Sequence, residues 1–64
     1  MIRYSDVPPA LQKLMLDMIS KVEAKIGPDA DDYTDELKTF ISGSDYYGQS
    51  EISSQMAKLL RLLT

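Results

Sequence analysis

The sequence predicts an all-α domain, and three observations carry that expectation. Apolar residues recur at spacings of three and four in three segments, and short breaks rich in glycine separate those segments. No stretch shows the alternation of a half-buried strand, and no internal repeat or low-complexity run occurs. The expected helices cover roughly residues 8–26, 29–42 and 50–63 of a single domain spanning 1–64.

In the first segment, "PPALQKLMLDMISKVEAKI", Leu11, Leu14, Met15, Met18, Ile19, Val22 and Ile26 fall within a stripe of roughly 140° at about 100° per residue. Leu16 lies well outside that stripe. Pro8 and Pro9 fit a helix start, where a missing N–H had no intrahelical partner to lose. Val7, which precedes proline, is expected to be extended. Gly27 and Pro28 end the helix, the glycine by adopting a left-handed cap and the proline by blocking continuation.

The second segment, "DADDYTDELKTFIS", places Ala30, Tyr33, Leu37, Phe40 and Ile41 on one face. Its acidic start, Asp29, Asp31 and Asp32, sits where free N–H groups and the positive end of the helix dipole favour carboxylates, so capping accounts for it without a function. Gly43 is the expected stop. In the third segment Ser50 is the expected N-cap, Glu51 stands in the first turn, and Ile52, Met56, Leu59, Leu60 and Leu63 share a face with Leu62 at its edge. Lys58 and Arg61 suit the C-terminal end of the dipole.

Composition narrows function more than it identifies it. With neither histidine nor cysteine, the chain lacks the commonest acid–base residue and the strongest side-chain nucleophile. Its three glycines, at 27, 43 and 48, form no phosphate-cradling loop. No catalytic residue, cofactor, metal ligand or small-molecule substrate is expected, and the protein reads as a non-enzyme. An EF-hand loop starting at Asp29 would require a glycine and a glutamate where Thr34 and Phe40 stand. The absence of cysteine, of a membrane-length apolar run and of a basic-then-apolar start points to a cytoplasmic protein that engages no membrane.

A net charge of −3 disfavours direct contact with nucleic acid. The charge is also uneven, because residues 28–51 hold seven carboxylates against the single cation Lys38, while both flanks are slightly basic. The acidic patch Asp29, Asp31, Asp32, Asp35 and Glu36 therefore supports one alternative function, a nucleic-acid mimic that occupies a partner's basic groove. A second alternative, a small DNA-associated transcriptional accessory protein, rests on the helix-turn-helix texture of "QSEISSQMAKLL", which no turn or basic recognition helix follows.

The leading expectation is a regulatory protein that binds a partner protein and itself. A chain this short buries only about 60% of the surface of its unfolded form, and with disulfides and metals excluded a second copy is the remaining route to a larger core. Small proteins without catalytic equipment are commonly accessory regulators of bacteria, phages or plasmids, so a mobile-element role is part of that expectation. The candidate dimer or partner interface is drawn from apolar residues the stripes leave unexplained: Tyr4, Leu16, Leu62, Tyr46 and Tyr47, with Ile2 beside them. In "SGSDYYGQSE" adjacent side chains point to different sides, so one tyrosine is expected to pack near Phe40 and Ile52 while the other projects.

Overall fold

A computed structural model describes residues 1–64, of which 80% are helical and none form a strand. Helix α1 runs from Pro9 to Ile26, with Pro8 as its cap residue. Val7, at φ −81° and ψ 135°, is extended ahead of the two prolines and is itself buried. Gly27 then takes φ 65° and ψ −136°, a combination closed to residues with a Cβ, while its N–H donates to the Glu23 carbonyl.

The expected break at Gly27–Pro28 is a bend and not a gap. A 3-10 turn over Gly27–Ala30 leads directly into α2, Asp31–Ile41, so residues 9–41 form one uninterrupted helical stretch that turns at Gly27. The capping role expected of the aspartates is not used: α2 follows Ala30 in helical conformation, and no side chain caps it. Upstream carbonyls of the turn can accept the N–H groups that a free helix end would leave open. Gly43, at φ 78°, ends α2 two residues after Ile41. The second helical stretch, α3, covers Gln49–Leu63 with Gly48 at the cap position, so Ser50 lies inside the helix.

The buried interior is built from Met15, Met18, Ile19 and Val22 of α1, Leu37 and Phe40 of α2, and Ile52 and Leu59 of α3, joined by Val7 and Ala30. Four residues assigned to buried stripes stay at the surface: Leu11, Leu14, Tyr33 and Leu60 are 39%, 46%, 38% and 56% exposed. For α3 the cause is rotation. Its inner face is centred on Leu59 and includes Leu62, so it is turned by about 40° from the stripe's centre and carries Leu60 outward. On α2 the inner position one turn before Leu37 belongs to Thr34.

Thr34 is fully buried, and its hydroxyl has no hydrogen-bond partner. An unsatisfied buried hydroxyl costs about 1–3 kcal/mol. Thr34→Val, which keeps the shape and removes that cost, is expected to raise the denaturation midpoint with an unchanged slope in a urea titration followed by circular dichroism. A lower midpoint would mean that the hydroxyl is bonded in solution.

One copy closes this core without help. Its radius of gyration is 11.1 Å, against about 10.7 Å for a compact chain of this length. Its surface of 4155 Å² matches the roughly 4100 Å² typical of a monomer of this mass. Shortness alone therefore does not call for a second copy, and any interface has to be found in the shape and chemistry of the surface.

Candidate functional site

The N-terminal segment accounts for much of what the helical stripes leave over. Ile2 and Tyr47 exchange both backbone hydrogen bonds, at 2.8 and 2.9 Å, in an isolated antiparallel bridge that ties the chain start to the α2–α3 loop. Gln12 reinforces the arrangement from α1: its side-chain amide donates to the Tyr4 carbonyl at 2.9 Å and the Val7 carbonyl at 3.0 Å. Held this way, Tyr4 and Tyr47 meet Phe40 edge to face, with centroids 5.9 and 5.7 Å away at interplanar angles of 87° and 86°.

The expected interface residues are thus divided. Tyr4, Tyr47 and Leu62, along with Ile2, are partly buried and pack against the core. Leu16 and Tyr46 remain 51% and 54% exposed, one on the outer face of α1 and the other in the loop. Arg3 covers the Tyr46 ring, its guanidinium carbon 5.0 Å from the centroid, and also donates to the Gly43 carbonyl at 3.1 Å.

The acidic patch is exposed along its whole length, but two of its members have partners within the fold. Asp31 lies 3.5 Å from Lys38, whose ammonium also contacts Glu23 at 2.8 Å, and Glu36 accepts a 2.7 Å hydrogen bond from Gln55. Hydrogen bonding to Glu23 pushes the Lys38 ammonium above the ordinary lysine range, with partial desolvation opposing and both carboxylates adding to the rise. Asp29, Asp32 and Asp35 are simply solvated. Nowhere do three acidic side chains converge as a metal site would require.

The largest concavity is elsewhere, in a valley between α1 and α3 that α2 does not roof. It is an open groove of about 770 Å³ with Leu14 and Met18 on one wall and Met56, Leu60 and Leu63 on the other. Met18 lies deepest in it, while Asp17, Lys21, Ala24 and Lys25 of α1 and Ala57 of α3 line its more exposed edges. Asp17 and Lys21 pair at 3.0 Å yet remain more than half exposed, while Lys25 donates to the Leu62 carbonyl at 2.6 Å. Grooves of this size and apolar lining are common binding sites. All five wall residues were expected to be core; Met18 is, Met56 and Leu63 are partly buried against it, and the rotation of α3 and the missing roof over Leu14 leave Leu60 and Leu14 at the surface.

No helix is long and apolar enough to cross a membrane. No known protein family, curated protein or solved structure matches the chain.

Proposed function

We propose that this chain is a small non-enzymatic regulatory protein of the cytoplasm that acts by binding a partner protein, and that its working form is a homodimer of three-helix protomers. The observation that carries this reading is the open α1–α3 groove, where Leu14 and Leu60 stand about half exposed beside Met18, Met56 and Leu63. A contiguous apolar surface on so small a body favours association, and methionines give it the adaptability that partner-binding surfaces use. The lack of histidine, cysteine and a phosphate loop leaves binding as the function the chain is equipped for.

The acidic face of α2 supports mimicry of nucleic acid less well. Asp31 and Glu36 already have partners in the fold, and the remaining carboxylates are dispersed in solvent.

Multi-angle light scattering tests the reading. The wild-type chain is expected at twice its 7.2 kDa mass. Leu60→Glu, which places a charge on the apolar wall, is expected to give the monomer mass with helicity retained, because Leu60 is 56% exposed and contributes little to the core. A concentration-independent monomer mass for the wild type, or a dimer that Leu60→Glu leaves intact, would remove the groove from consideration as the dimer site.

A further inference from the structure

Along α1, Ala10, Leu14, Asp17, Lys21 and Ala24 follow one another at spacings of four, three, four and three, and the last four of them line the groove. On a helix this spacing makes a single exposed seam within about 80° of arc, which borders the buried face at Leu14 and turns outward to Ala24, and the seam extends for about 21 Å. Its last four residues read large apolar, acidic, basic, small apolar. Reversed, the same order reads small, basic, acidic, large. Each member is then the complement of the one it would meet.

Building on the dimer proposed above, we infer that the occupant of the groove is a second copy of this chain, with the two α1 helices antiparallel about a two-fold axis midway between Asp17 and Lys21. In that register Asp17 faces Lys21 of the second copy, and Leu14 packs against the small side chain of Ala24. The two-fold repeats both contacts, as an isologous interface requires. A parallel pairing of the same seams would set Asp17 against Asp17 and Lys21 against Lys21, so charge selects the antiparallel arrangement. Asp17 and Lys21 can serve across the interface because their side chains are 53% and 63% exposed despite the contact between them. A polar pair in an otherwise apolar seam fixes register at some cost in stability. A standard interface of about 800 Å² per partner would cover roughly a fifth of the 4155 Å² surface, which leaves the acidic face of α2 and the Tyr46 loop free for another partner.

Charge reversal separates contacts between chains from the contact within one helix. Asp17→Lys alone and Lys21→Asp alone each set two like-charge pairs across the axis, and each is expected to weaken the dimer roughly tenfold or more. Mixed in equal amounts, the two variants are expected to form a heterodimer, read by native mass spectrometry with one variant isotope-labelled, because every lysine of the all-basic seam then meets an aspartate of the all-acidic one. Mixing cannot repair the contact within one helix, so recovery reports only the contact between chains. Single variants that dimerise as well as the wild type overturn this register, and so do weakened variants whose mixture stays monomeric. In either case, if Leu60→Glu still dissolves the wild-type dimer, the groove remains the interface. A monomeric wild type overturns the register and the dimer together.

Discussion

Phe40→Ala is expected to abolish cooperative melting near neutral pH, or to leave a chain that is partly unfolded at room temperature. Phe40 is fully buried, and Tyr4 from the chain start and Tyr47 from the α2–α3 loop meet its ring edge to face. Removing the ring forfeits its transfer free energy and opens a cavity, together about 3–5 kcal/mol. The two aromatic contacts that go with it are each worth about 0.5–1.5 kcal/mol beyond burial. A 64-residue domain has roughly 3–10 kcal/mol in total. Thermal scans by circular dichroism at fixed protein concentration decide the matter, the fixed concentration being needed because dimerisation shifts the midpoint by mass action. A midpoint within a few degrees of wild type would show that the three-ring cluster is not the centre of the fold.

The local signals in the chain were readable because they act within a few residues. Pro8 and Pro9 start α1 for a reason confined to one helical turn, and Gly27 and Gly43 mark helix ends by a positive φ that needs no distant partner. The class, all-α, follows from spacing alone. What depends on tertiary placement was not readable in the same way. The Ile2–Tyr47 bridge joins residues far apart in the chain, and it packs Tyr4 and Tyr47, partly buried, against the core. On α3, Leu60 and Leu62 are equally apolar, and only the rotation that centres Leu59 decides which faces inward. The groove shares this limit: Leu14, Met56, Leu60 and Leu63 satisfy the criterion for core, and a roof that α2 fails to provide leaves no trace in spacing. One signal for it was present, the 4-3-4-3 series from Ala10 to Ala24, narrower than the buried stripe and offset from it.

The adjacent tyrosines of the α2–α3 loop are expected to respond very differently to truncation. Tyr47 is partly buried and packs edge-on to Phe40, so Tyr47→Ala should cost about 2–4 kcal/mol, near the lower part of the range for removing a core aromatic. Tyr46 is 54% exposed and held by a surface cation–π contact with Arg3, so Tyr46→Ala should stay within about 1 kcal/mol. Tyr47→Phe isolates the hydroxyl. Desolvation, followed by Asp45, Glu36 and Glu51, raises the Tyr47 pKa above the ordinary 10.0, which means that the folded protein favours the neutral phenol. The folded state then holds the proton more tightly than the unfolded one, so this stabilisation is complete below about pH 10 and is lost as pH rises through the raised value. Removing the hydroxyl removes that loss. Tyr47→Phe should therefore match the wild type in melting at neutral pH and move the midpoint of alkaline unfolding upward, while Tyr46→Phe should leave it in place. Equal destabilisation by the two alanine substitutions, or an alkaline midpoint that Tyr47→Phe does not move, would show that the loop packs differently in solution and that Tyr47 is not the ring that closes the core over Phe40.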